Sequence, residues 1–313
     1  MKTPITLLCY FAFLFTALAN YQIDGLATQL SIQTCGKIIL IPGEVDGVAG
    51  YFILDTGAPE LILNKRFFEG REKGHHKTME DIDEVMHCQI MQVGHFLMGN
   101  VYRDDFPAVL ADLEATEVAL GREILGLLGY DVLKHFEVRI DYYAGNITFC
   151  NLDNTGQPMF RWQAKQADHE FQFRMEGHLP VIQGHLPDKR NLDFAVDSGA
   201  TVNIMDQTYK SYLRKNSLKV RSIDFQCVRS TVKDAPYYTL PEMRLENAYN
   251  VQFWRTSIGN FAGFRANKMY FHAILGANFF QLGKITINYH LQKIEIWDNP
   301  GRLNRRYHCL GHG

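Results

Sequence analysis

The chain repeats itself. Phe52 to Asn64 reads FILDTGAPELILN and Phe194 to Asp206 reads FAVDSGATVNIMD; each is an apolar run ending in Asp, a small hydroxyl residue, Gly and Ala, followed by a second β-prone run. A longer pair comes later in the same order. Gly129 to Phe149 reads GYDVLKHFEVRIDYYAGNITF, Gly276 to Ile296 reads GANFFQLGKITINYHLQKIEI, and the two align without a gap. Each begins on the Gly of an apolar-apolar-Gly tripeptide, Leu127-Leu128-Gly129 or Ile274-Leu275-Gly276. Each then passes through a predicted helical turn at Val132-Leu133 or Phe279-Phe280 and ends in two alternating strands, joined at Ala144-Gly145-Asn146 or His290-Leu291-Gln292. Two motif pairs in one order mean an internal duplication, so the fold must set two like halves against each other.

The halves are placed at 20–155 and 156–313, joined by the polar, Gly- and Pro-bearing segment NLDNTGQP from Asn151 to Pro158. Within the first, Val85 to Leu113 reads as a β-meander broken at Gly94, Gly99-Asn100 and Asp104-Asp105, and the polar stretch Arg71 to Asp83 reads as an exposed loop or hairpin tip. The 313 residues are 46% hydrophobic, enough for a sizeable core, and the supply of Phe and Tyr suits strands more than a helical bundle. A net charge of only −2 gives no reason to expect a nucleic-acid partner.

Residues 1–19 read as a secretory signal, with Lys2 ahead of an apolar stretch from Ile5 to Leu18 and Ala17-Leu18-Ala19 as the cleavage site. The alternative, a signal anchor, asks a short stretch to cross about 30 Å of hydrocarbon. An exported protein, periplasmic or extracellular and not stably inserted in a membrane after cleavage, is the expectation. Removal of Cys9 would leave Cys35, Cys88, Cys150, Cys227 and Cys309, an odd number whose pairing the spacing does not give.

The chemistry sits in the first motif pair. An ionisable side chain between two hydrophobic runs is costly to bury without partners. Hydrolysis by water needs one group to take a proton from the water and another to give one to the carbonyl oxygen or the leaving amine. Two carboxyls sharing a site meet both needs, because like charges about 3 Å apart repel by roughly 5 kcal/mol at an effective dielectric of about 20, which leaves one of them protonated. Asp55 and Asp197 are the candidate pair. Gly57 and Gly199 let the chain turn and offer backbone N–H groups, and Thr56 and Ser198 are hydroxyls able to bond across a twofold axis.

These residues resemble the aspartic proteases of the pepsin and retropepsin type. The matching elements are Asp55-Thr56-Gly57-Ala58, Asp197-Ser198-Gly199-Ala200 and the strands Leu127–Gly129 and Ile274–Gly276, and the Ala after each motif looks closest to the bacterial retropepsin-like aspartyl proteases. The resemblance covers most of both halves. It implies an all-β, bilobal acid-protease β-barrel fold with pseudo-twofold symmetry, and an aspartic endopeptidase acting as a monomer on a peptide or protein substrate. Asp55 and Asp197 would be catalytic, Thr56, Gly57, Ser198 and Gly199 would support them, and neither cofactor nor metal is implied. A catalytically inactive peptide- or protein-binding module on the same fold is the alternative. Two departures stand out: Pro59 and Glu60 follow the first motif, and no Y-G element between Asp55 and Leu125 marks a flap residue.

Other side chains capable of chemistry read as solvated. His75, His76, His87, Cys88 and His95, and likewise His308, Cys309 and His312, match no closed tetrahedral metal spacing. No G-x-S-x-G elbow is present for a serine hydrolase. Asn146-Ile147-Thr148 is a glycosylation sequon placed on a predicted hairpin.

Overall fold

The computed structural model describes residues 20–80, 85–160, 165–226, 231–246 and 249–298. It is mostly β, 53% strand against 13% helix, and its strands form three sheets. Residues 1–19, read from the sequence as a secretory signal, and Cys227, Cys309, His308 and His312 lie outside the described residues, as do the side chains of His75, His76 and His87.

The first sheet is built from the first half. Val101–Ala111, Ile62–Asn64, Gly126–Leu128, Val48–Leu54, Ile38–Val45 and Val85–Met98 are neighbours in that order, and Val85–Met98 pairs again with Val101–Ala111, so six strands close into a barrel. The run before Asp55 is apolar at successive positions because both its faces are covered. Phe52 and Leu54 join the large core, whereas Ile53 points the other way into a smaller cluster with Ile38, Leu40 and Ile62.

The second half repeats this order with Arg255–Gly259, Ile204–Asp206, Ala273–Leu275, Asn191–Val196 and Leu179–His185 in a ten-stranded sheet. The register repeats as well. Ile53 pairs with Leu127 and Leu54 with Leu128 in parallel, as Ala195 does with Ile274 and Val196 with Leu275. The place of the single long strand Val85–Met98 is shared by Thr231–Thr239 and Glu242–Leu245, with Leu240-Pro241 between them. That proline has no N–H to give a ladder, and the pairing lapses there.

The third sheet binds the halves together. Its order is His169–Gln172, Lys293–Asp298, Gly283–Asn288, Phe136–Asp141, Asn146–Asn151 and Ala27–Ser31. The closing hairpins predicted at 144–146 and 290–292 are both present, and they meet edge to edge with Val138 opposite Ile287 and Ile140 opposite Ile285. The helical turns before them are Tyr130–Leu133 and Ala277–Phe280.

Two expectations for the first half change in detail. Of the two readings of the polar stretch, loop or hairpin tip, the structure favours the hairpin, extended further than a tip: Glu72–Glu80 is strand and pairs antiparallel with Val85–Met98, and residues 81–84 lie outside the described residues. The meander turns only at Gly99-Asn100, between Val85–Met98 and Val101–Ala111. Gly94 stays within its strand because Asp46 Oδ1 accepts the N–H groups of Gly94 and His95, at 2.9 and 2.8 Å, in place of a ladder partner.

Candidate active site

Each Asp motif leaves its sheet at the end of a central strand and is tied to the neighbouring Gly strand in the same way. Asp55 N donates to Leu128 O and Tyr130 N to Ala58 O, at 3.1 and 2.9 Å; Asp197 N donates to Leu275 O and Ala277 N to Ala200 O, at 2.9 and 2.7 Å. Gly129 and Gly276 permit this approach. A Cβ on Gly129 would stand 2.6 Å from Ala58 O, and one on Gly276 would stand 2.6 Å from Ala200 O.

The two loops then lock together across the halves. Thr56 Oγ1 donates to Val196 O at 2.9 Å and accepts from Ser198 N at 2.9 Å. Ser198 Oγ donates to Leu54 O at 2.7 Å and accepts from Thr56 N at 3.0 Å. Both side chains are fully buried. Each hydroxyl thus serves as donor and acceptor at once, a capacity that Ser and Thr share and that Ala or Val lacks.

This lock brings the six predicted site residues to one place. Asp55 Oδ1 accepts from Gly57 N at 2.9 Å and Asp197 Oδ1 from Gly199 N at 2.8 Å. Each glycine also faces the opposite carboxyl. A Cβ on Gly57 would lie 2.6 Å from Asp197 Cγ, and one on Gly199 would lie 2.6 Å from Asp55 Cγ. Only a residue without a side chain lets each carboxyl lie this near the opposite loop, and the same glycines supply the N–H groups that hold their own Asp. Asp55 is buried and Asp197 half-buried. No protein-family model matches this sequence, and no curated protein does.

Four residues beside the pair escaped the sequence reading. Tyr289, in the turn of the second closing hairpin, has a buried hydroxyl without a hydrogen-bond partner. Burial pushes its pKa far up, and the ionisable groups of Tyr130, Asp55 and Asp197 add to the rise, so the phenol remains a neutral donor close to the carboxylates. Its ring meets that of Tyr130 edge-on at 5.2 Å. His178 Nε2 lies 2.6 Å from Gly57 O, reaching over from the second half, and burial holds its pKa below the usual value. Lys37 makes the reverse crossing, its Nζ donating to Asn278 Oδ1 at 2.6 Å.

The fourth is Asp131, whose Oδ1 is buried without a partner. Burial and the Glu60 charge raise its pKa to about 7, against the Leu61 N–H and the cations of Arg103 and Lys134. The repeat marks the places of these residues in the fold, though for Lys37, His178 and Asp131 not the residue type. Gly36-Lys37 and Gly177-His178 are the turns before the two strands that lead toward the Asp motifs, Gly36 standing 19 residues ahead of Asp55 and Gly177 20 ahead of Asp197, and both glycines turn with positive φ, 58° and 61°; Tyr142 and Tyr289 share one aligned position.

Among the described residues, the other His and Cys candidates lie in other surroundings. His95 pairs with Asp104 at an exposed edge, 2.5 Å apart. Cys88 is buried, and Cys35, Cys88 and Cys150 form no disulfide with one another. Among the described residues no three His, Cys, Asp or Glu side chains gather as a metal site would require.

Proposed function

We propose that this chain is an aspartic endopeptidase with the bilobal acid-protease fold, in which Asp55 and Asp197 act as one acid–base unit. The observation that carries the reading is the reciprocal packing of Gly57 on the Asp197 carboxyl and of Gly199 on that of Asp55. Two carboxyls so placed cannot both ionise cheaply at neutral pH, so one retains a proton. The ionised member takes a proton from a water molecule as its oxygen attacks the peptide carbonyl carbon, and the protonated member gives its proton to the carbonyl oxygen. Collapse of the resulting gem-diol breaks the C–N bond: one hydroxyl returns its proton to the dyad as the carbonyl re-forms, and the proton taken from water passes to the leaving amine, so the pair ends with the single proton it began with. The symmetric N–H bonds from Gly57 and Gly199 let either acid fill either role.

The test is cleavage of a diverse peptide library by the wild type and by Asp55→Asn and Asp197→Asn at several pH values. Both variants should fold and lose at least about a thousandfold in kcat/KM, since the acid–base unit works as a whole. Equal cleavage by all three proteins would refute the dyad. Peptide binding without turnover by the wild type would replace it with the peptide-binding module.

A further inference from the structure

The frame beside the carboxyl pair is symmetric, but the charges set upon it are not. The turns at Gly36-Lys37 and Gly177-His178 occupy matching places, and so do Tyr130-Asp131 and Ala277-Asn278 after the Gly strands. On the first side, near the Asp55 loop, lie His178, Glu60 and Asp131, with Arg103 and Lys134 close enough to act on Asp131 as opposing charges. Opposite charges there offset one another. On the second side, near the Asp197 loop, three cations gather: Lys37, Arg221 and Arg255.

The second group is organised. Lys37 Nζ donates to Asn278 Oδ1 at 2.6 Å, and Asn278 Nδ2 reaches Tyr237 Oη at 3.5 Å. The Arg221 guanidinium lies over the buried Tyr237 ring, 5.2 Å from its centre. Asn278 follows Ala277, whose N–H is bonded to Ala200 O at 2.7 Å, so the group stands directly beside the second Asp motif. Burial lowers the pKa of Lys37, and the charges of Arg255 and Arg221 lower it further, a mark of like charges held together. Among the described residues none of the three has a carboxylate partner. Cations held together without a counter-ion raise the energy of the empty protein, and an incoming carboxylate would relieve that repulsion while accepting charge-assisted hydrogen bonds.

We propose that Lys37, Arg221 and Arg255 form a subsite for a carboxylate of the substrate peptide, on the Asp197 side of the dyad. The proposal rests on the endopeptidase reading for its use in turnover, but not for binding. It predicts peptides bearing an acidic residue toward one end, since on the first side the cations Arg103 and Lys134 stand among the carboxyls of Glu60 and Asp131. An acidic side chain and a terminal carboxylate share this chemistry, and the experiment separates them.

Binding is measured by fluorescence anisotropy with the full chain carrying Asp55→Asn, whose change lies on the other loop. Amidated peptides that differ only by Glu, Gln or Lys at one scanned position are compared with the Gln peptide bearing a free C-terminus. At the responsive position the Glu peptide should bind about tenfold tighter than the Gln peptide, a difference of about 1.4 kcal/mol, and the gain should shrink as salt is raised. If only the free C-terminus gives the gain, the carboxylate recognised is the terminal one. Adding Lys37→Glu with Arg221→Glu should reverse the order in favour of the Lys peptide, a gain that misfolding cannot produce. Glu, Gln and free-acid peptides binding within about twofold of each other, or an unchanged order in the reversed variant, would overturn the proposal. A preference that persists while the wild type cuts nothing would reject the endopeptidase reading and keep the subsite.

Discussion

The interlocked hydroxyls make a quantitative claim about what holds the two halves in register. Thr56→Val keeps the shape of the side chain and removes its oxygen, which strands Val196 O as an acceptor and Ser198 N as a donor in a fully buried place. A buried polar group left without its partner costs about 1–3 kcal/mol, so the change should cost about 4 kcal/mol. Ser198→Ala strands Leu54 O and Thr56 N and should cost a similar amount. Simple addition would put the double variant near 8 kcal/mol, as large as the whole stability of many domains. The loops would sooner part and admit water, so the double should fall short of the sum by about 1 kcal/mol or more. Urea unfolding followed by circular dichroism gives all four stabilities of the cycle. Peptide cleavage should fall further than stability does, because separation of the loops separates the acids. Single variants costing less than about 0.5 kcal/mol, the range of an ordinary surface change, would show that these bonds do not hold the loops and would remove the basis for a shared proton.

Four further outcomes follow from the geometry. Gly57→Ala or Gly199→Ala would set a methyl about 2.6 Å from the opposite carboxyl carbon, so each should nearly abolish cleavage while a folded core remains visible by near-ultraviolet circular dichroism; retained activity would contradict the close approach. Asp131 has a native pKa near 7 against an unfolded value near 4, so the native state keeps a proton over that window that the unfolded chain has released, and stability falls as pH rises through it by up to about 4 kcal/mol. Asp131→Asn should remove that slope, measured by urea unfolding at pH 4.5 and 7.5, and a slope unchanged in the variant would refute the assignment. His135 runs the other way: burial lowers its pKa to about 4, with the Lys134 and Arg103 charges adding, so its contribution rises between about pH 4 and 6.5 and should dominate once Asp131 is replaced. If residues 1–19 are an export signal, N-terminal sequencing of secreted protein should begin at Asn20.

What could be read from the sequence was what the repeat required twice. The Asp-hydroxyl-Gly loops, the Gly strands and the closing hairpins each depend on a backbone path open to few residues. Gly129 and Gly276, for example, must lie against the carbonyls of Ala58 and Ala200, so the same letters recur at the same spacing. The charged residues near the loops stayed hidden for the opposite reason. Lys37 and His178 sit at matching turns and Asp131 and Asn278 at matching helix positions, but they differ in type, so alignment of the halves gives them no weight. The split of the second sheet at Leu240-Pro241 was also out of reach, because the pairing that lapses there joins strands far apart in the chain.

That contrast has a physical consequence. If each half were a separate identical chain, any cation beside one Asp loop would appear beside the other, and a substrate would meet two equal ends. Joining the halves in one chain removes that constraint while the backbone contacts that set the acids remain paired: Gly57 and Gly199 each donate to their own Asp, and Thr56 and Ser198 each bond to the opposite strand. Replacing Lys37 by His, or Asn278 by Asp, would make the two sides more alike and leave the frame untouched. Such changes should alter which end of a peptide binds where, and leave the bonds between the loops as they are. Symmetry in this protein belongs to the hydrogen bonds that hold the acids, and asymmetry to the side chains that would choose what they cut.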